Sequence, residues 1–495
     1  MPSTATTPAP TLDASRRIGD ELFAIDARSL AVLRIGLGVT LLADLYVRAR
    51  SLTAHYTDAG IMPREALDSA YGWMAPYLSL HYHTGAATWM QAGMFIFAAI
   101  CAVLLVFGWR TRIVTVVCWL LLLSLHRRFA GLLNAGDYEL RLLLFWSMFL
   151  PLGTRWSLDS LRRRDAGEPA PTRYRSGATI AIMLQVCFIY WFTVLLKTGS
   201  VWWNGQAAGL ALELDLYTTP AGAWLRQYAP LMSLLTWATM IAEILGPTIV
   251  WIPFAVARWR MLAIIMMWGL HGSFIVCMGI GLFGYVSMLG RVVFLPTSFW
   301  EFLSGGDSPG FVTRRAPLAS WREGVLLALV VFVFMWNVST LDHPLARRAM
   351  PGALKPVGKA LGLAQQWSMF APYPLRWDGW FVMPAELANG RTVDLWSQGA
   401  PVTWDKPTLV IDTFPTYRWR KFLINMRRKF NPDKPPSPEW PYLLRYLCRE
   451  WNATHSQAEQ VYLIEVYFVE EVHDGFRVRH MPRKITTHRC LSPTE

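Results

Sequence analysis

Apolar stretches of membrane-spanning length recur through the first two-thirds of the chain and stop near residue 340. A bilayer crossing takes roughly 20 mostly apolar residues. Backbone in hydrocarbon must satisfy its own hydrogen bonds, so such runs fold as helices. The composition agrees, with 53% hydrophobic and 16% charged residues and a mean hydropathy of +0.28, against about 25% charged in ordinary soluble domains. The expected fold is mostly α: a polytopic transmembrane helical bundle followed by a soluble α+β domain. Spans are predicted at 30–47, 86–108, 112–130, 138–152, 177–196, 229–254, 261–280, 282–296 and 324–340. This divides the chain into an N-terminal tail (1–24), a membrane domain (25–340) and a soluble domain (341–495). The N-terminal tail has no apolar core and is not read as a cleaved signal.

Basic residues set the expected orientation. Arg16 and Arg17 precede the first span, Arg110 and Arg112 fill the turn after the second, and six arginines crowd the 153–176 linker. Arg258 and Arg260, then Arg314, Arg315 and Arg322, continue the alternation. With nine spans all of these share one side, which the positive-inside rule makes cytoplasmic. The 47–85 and 197–228 loops and the soluble domain then face outward, as expected for a multi-pass protein of the cell (inner) membrane.

The net charge of +13 largely reflects these loop arginines, and nothing in the chain suggests nucleic acid as a partner. In the soluble domain, Trp380–Leu387 and Arg391–Trp396 flank an Asn389-Gly390 turn and read as a hairpin. Gln460–Val469 alternates like a strand, and His473-Asp474-Gly475 turns it into Phe476–Arg479. The basic segment Tyr417–Phe430 reads as a solvated surface helix or as an amphipathic helix resting on anionic lipid. Of six cysteines, Cys448 and Cys490 lie in the soluble domain and could pair. No metal-ligand spacing or glycine-rich phosphate loop is present, so neither a metal nor a nucleotide cofactor is expected.

Chemistry, if any, belongs to polar residues inside the spans, where each is costly. Arg34 and Asp44 share the first span but stand roughly 15 Å apart by helical rise, so each needs another partner. Asp137 and Arg141 stand one turn apart and could pair. Glu243 lies beside Gly246-Pro247, His271 sits mid-span, and Arg291 lies in the eighth span. Lys197 closes an almost wholly apolar run and is followed by Thr198-Gly199-Ser200-Val201-Trp202-Trp203-Asn204-Gly205. It reads either as an interfacial anchor or as a desolvated amine able to act as a base.

Several segments carry a resemblance. Ile25–Leu30 running into Leu33-Arg34-Ile35-Gly36, then His55–Gly60 with Met62-Pro63-Arg64, resemble the opening of an HTTM domain, the membrane unit shared with vitamin K-dependent γ-carboxylases. The likeness continues through Asn134-Ala135-Gly136-Asp137, Lys197 with Trp202-Trp203-Asn204-Gly205, Glu243 and His271. Gln366–Pro372 resembles the start of the outward domain in bacterial members. The resemblance implies a reduced quinone (a vitamin K-like hydroquinone) with O₂ and CO₂ as co-reactants and Lys197 as the base that deprotonates it. It also implies Asp137, Glu243 and His271 as catalytic neighbours, with Trp202, Trp203 and Asn134 holding the quinol. The lipid bilayer, a secreted peptide or protein substrate and a quinone reductase are the implied partners. One departure stands out: the carboxylases carry Asn-Asn-His-Ser where this chain has Asn134-Ala135-Gly136-Asp137. Asp137 is then a candidate counter-ion for Lys197.

Three classes stay open: a quinol-dependent enzyme, a non-catalytic membrane protein for maturation of or interaction with a secreted peptide, and a transporter. The transporter ranks last, since no paired broken helices or inverted repeat are visible.

Overall fold

The computed structural model describes residues 12–71, 78–167, 171–305, 312–316, 320–473 and 478–490. Among these, six helices are long and apolar enough to cross a membrane: α1 (Ala27–Ala49), α2 (Thr88–Phe107), α5 (Gly177–Leu196), α6 (Ala229–Ile249), α7 (Val256–Cys277) and α9 (Trp321–Val338). The other three expected spans are helical but differ in kind. α3 (Thr111–Arg128) ends in His126-Arg127-Arg128, α4 (Ala135–Ser147) has only 13 residues, and α8 (Phe283–Gly290) continues as a 3₁₀ turn to Phe294. α4 is buried along nearly its whole length. Its neighbours, rather than its own apolarity, make its ionisable residues tolerable.

The two ends of the bundle are built differently. At one end three short strands join into a sheet: β1 (Ile25–Asp26), β2 (Arg173–Arg175) and β3 (Thr313–Arg315), in that order. The basic turns gather there. Arg175 and Arg315 pair with Asp20, Arg260 donates to the Leu22 carbonyl at 2.6 Å, and Asp159 accepts from the Arg110 and Thr111 amides. Arg34, near this end, donates to the Trp156 carbonyl.

The opposite end carries the C-terminal domain. Its sheet centres on β7 (Val461–His473), with β8 (Val478–Arg489) along one edge. Along the other edge run β4 (Trp377–Val382) and β5 (Pro384–Leu387), which keep one antiparallel register on β7 from Trp377 to Glu386, interrupted at Met383, before it shifts by one residue at Leu387. β5 turns at Asn389-Gly390, where glycine takes φ +81°, into β6 (Thr392–Asp394). The expected hairpin is therefore present; Asp474–Arg477, where the second turn was read, lie outside the described residues. Between β3 and this sheet comes α10 (Lys355–Ala360), and between β6 and β7 come α11 (Tyr417–Arg428) and α12 (Glu439–Asn452). A Cys448–Cys490 disulfide ties α12 to the end of β8.

α11 departs from both sequence readings. It is neither solvated nor laid on lipid. Arg418, Trp419, Phe422, Leu423, Ile424 and Met426 are buried, because the helix lies between the C-terminal sheet and the bundle. Trp419 donates to Ser51 Oγ at 3.0 Å, Asn425 to the Gly131 carbonyl at 2.9 Å, and Arg420 to the Gly279 carbonyl. The amphipathic period was legible, but its apolar face meets protein.

Candidate active site

Between the bundle and the C-terminal region lies a cavity of about 1250 Å³. Lys197 reaches it because α5 ends at Leu196, leaving Lys197 as a non-helical cap with φ −82° and ψ 64°. The turn after it is held by the C-terminal region: the Gly199 amide donates to the Pro372 carbonyl at 3.1 Å. A Cβ at Gly199 would stand 2.8 Å from that oxygen, so the approach requires glycine. The short helix Ser200–Trp203 then brings the Trp202 ring to 4.0 Å from Lys197 Nζ, and the Trp202 indole donates to the Phe370 carbonyl at 3.2 Å.

Lys197 Nζ donates to Glu243 Oε2, and both side chains are buried. Burial pushes the Lys197 amine below the ordinary lysine range, and the Glu243 carboxylate only partly restores it. Pro247, four residues after Glu243 in α6, has no N–H for the Glu243 carbonyl. A second pair faces the same cavity: the Tyr190 hydroxyl and His271 Nε2 share a hydrogen bond. His271 Nδ1 is buried and unpartnered, and Arg291 lies 4.2 Å from the centre of the Tyr190 ring. Arg291 itself pairs with Glu139 at 2.9 Å.

Of the residues singled out in the sequence, Lys197, Glu243, His271, Trp202 and Asn134 line this cavity. Asn134 caps α4, its side chain accepting from the Asp137 amide at 3.2 Å. Two others lie elsewhere. Trp203 is 60% exposed and offers its carbonyl to Trp237. Asp137 sits in a buried cluster with Asp44, Arg48 and Arg418. Its neighbour Arg141 turns away to the Gly362 and Ala364 carbonyls and His126. Arg48 and Arg418 outcompete Arg141 for Asp137, and Glu243 takes the place of counter-ion to Lys197. Asp44, His126 and Asp137 lie close enough to share a metal ion, but two guanidinium groups already occupy the carboxylates. The apolar run before Lys197 concealed Tyr190, and no local signal marked the C-terminal region's share of the cavity, including Phe370, Tyr417 and Lys421.

The HTTM domain family model matches residues 23–300, more than half of the chain. The chain belongs to the HTTM-domain family. Searches of curated proteins and of solved structures return no match. The match makes this HTTM protein a membrane protein of the group related to vitamin K-dependent carboxylases. Its Gly136 has a steric cause. A Cβ there would lie 2.9 Å from Phe283 Cα, so no ring fits between α4 and α8. The imidazole in this cavity comes instead from His271, whose ring meets Phe283 edge-on at 5.5 Å.

Proposed function

We propose that this HTTM protein is a membrane enzyme that uses a lipid-soluble hydroquinone, with O₂ and CO₂, to modify an extracytoplasmic peptide or protein. The observation that carries the reading is the buried Lys197–Glu243 pair held against Trp202 in a large cavity. When bound, the hydroquinone would supply a reducing anion once its hydroxyl proton is removed. The site fits such a group: it offers an aromatic face at Trp202, an amine close to that face and an unpartnered buried imidazole nitrogen at His271. Lys197, hydrogen-bonded to Glu243, would take that proton and leave an ammonium beside the new anion. Trp202 stacks near that ammonium, and Asn134 caps α4 at the cavity wall.

The orientation rests on parity. β1, β2 and β3 bond to one another, so an even number of crossings must separate each from the next. Among the described residues, only α5, α6 and α7 have spanning length between β2 and β3; α8 with its continuation to Phe294 supplies the fourth. α3 and α4 likewise add two crossings to α1 and α2, giving nine with α9. The arginine-rich end is then cytoplasmic, and the cavity opens on the far side, where a secreted substrate and the quinol headgroup both arrive.

Quinol-dependent oxygen uptake in proteoliposomes tests the proposal, using 2-methyl-1,4-naphthohydroquinone. Uptake by the wild type and its loss in Lys197→Ala are expected. Full uptake by the Lys197→Ala protein overturns the base role of Lys197, and no uptake by the wild type favours the non-catalytic maturation reading.

A further inference from the structure

Two hydrogen-bonded pairs face one cavity, and the function proposed above gives a role in proton transfer to only one of them. Tyr190 lies in α5, and Lys197, seven residues on, is the cap just past its C-terminal end. Seven residues are close to two helical turns, which sets their Cα atoms about 10 Å apart along the axis. Each is bonded to a partner from a different helix, Lys197 to Glu243 of α6 and Tyr190 to His271 of α7. All four line the same cavity.

The Tyr190–His271 pair is held too firmly to be incidental filling. Arg291 lies against the Tyr190 ring and is anchored by Glu139, which also accepts from Ser287 Oγ at 2.5 Å. Phe274 and Phe283 flank the imidazole edge-on at 5.7 and 5.5 Å. Yet His271 Nδ1 is buried with no partner. A buried imidazole nitrogen without a hydrogen bond is costly, and at a cavity wall it marks a place for a ligand's polar atom.

From this we infer that Tyr190, set by His271, binds the second oxygen of the hydroquinone while the Lys197–Glu243 pair holds the first. The ligand class is therefore a para-hydroquinone, with hydroxyls at opposite ends of its ring, rather than a phenol with one. A ring of that kind, with a hydrogen bond of about 2.8 Å at each end, suits two pairs set two helical turns apart. The inference rests on the quinol reading but concerns recognition, so it is tested by binding rather than by turnover.

The experiment compares 2-methyl-1,4-naphthohydroquinone with its 4-methyl ether, which lacks the second hydroxyl, by tryptophan-fluorescence titration under anaerobic conditions. The wild type should bind the hydroquinone about tenfold more tightly than the ether. Tyr190→Phe keeps the ring under Arg291 and removes only the hydroxyl; it should bring that ratio close to one. Lys197→Ala should weaken both ligands while keeping a preference between them. A Tyr190→Phe protein that binds and still prefers the hydroquinone overturns the inference and leaves the base role of Lys197 standing. Binding of neither ligand by the wild type overturns both. The expected ratios without any oxygen uptake would uphold two-ended recognition while sinking the enzymatic reading.

Discussion

Two buried ionic sites lie near the same end of the bundle and are built on opposite plans. In the first, Asp44, Arg48, Asp137 and Arg418 form a closed set: Arg48 bonds Asp44 at 2.7 Å and Asp137 at 2.6 Å, and Arg418 bonds both carboxylates again. Two positive charges meet two negative ones, and Tyr56 takes a further Arg48 N–H at 2.8 Å. In the second, Lys197 and Glu243 have one ionic partner each and face open volume. A saturated cluster resists any change of charge. A single pair beside a cavity can gain a proton, because a ligand can balance it. The difference separates fastening from chemistry more sharply than residue type does, since both sites hold a carboxylate that the sequence offered as catalytic.

Breaking the closed set should give the largest effect on stability. Arg418→Ala leaves two buried carboxylates with one cation, and removal of one partner from a buried pair costs about 3–5 kcal/mol. Thermal unfolding in detergent should shift down accordingly; an unchanged midpoint would show that the cluster does not fasten the domains. Lys197→Ala should do the reverse. Activity should fall by about 10²–10⁴-fold, the usual worth of a positioned acid–base group, with little loss of stability because Glu243 can take up a proton. Lys197→Arg keeps the charge but cannot release a proton, so activity surviving in that variant would move the base role to Glu243. A smaller effect is expected from Glu243→Gln. Without the carboxylate the amine falls further, so the acid limb of the pH–rate profile should move to lower pH, and a shift to higher pH would contradict the assignment.

The weakest effect concerns Asp378, the buried carboxyl that accepts the Leu216 amide where the C-terminal sheet meets the 197–228 loop. Burial pushes its pKa up to about 7, with Asp215 and Glu471 adding to the rise while the Leu216 and Gly379 amides oppose it. A raised carboxyl pKa means that the folded form binds the proton more tightly than the unfolded one. Its contribution is greatest below about pH 4, declines as pH rises to about 7, and is flat above. Melting curves at pH 5.5 and 8 should show that decline in the wild type, and Asp378→Asn should flatten it.

The sequence made the bundle and the sheet legible because both are written in local periods. Apolar runs gave the helices, alternation gave β7, and the Asn389-Gly390 turn gave the β5–β6 hairpin. The ionic sites are not local. Asp44 and Arg418 stand 374 residues apart, and Asp137 and Arg418 stand 281 apart. No spacing rule pairs them. Lys197 and Glu243 were each legible as costly residues near the membrane, but their meeting depends on how α5 packs on α6. α11 misled for a related reason: its arginines imply water only if protein carboxylates are out of reach.

Arg418 also sets an order in time. At ordinary synthesis rates of about 5–20 residues per second, the interval between making Asp137 and making Arg418 is roughly 15 to 60 seconds. Through that interval the half-made bundle holds two aspartates with Arg48 alone between them. The last-made domain thus closes the charge balance of helices inserted long before it, and a ribosome that stops short releases a chain marked as unfinished in its own interior.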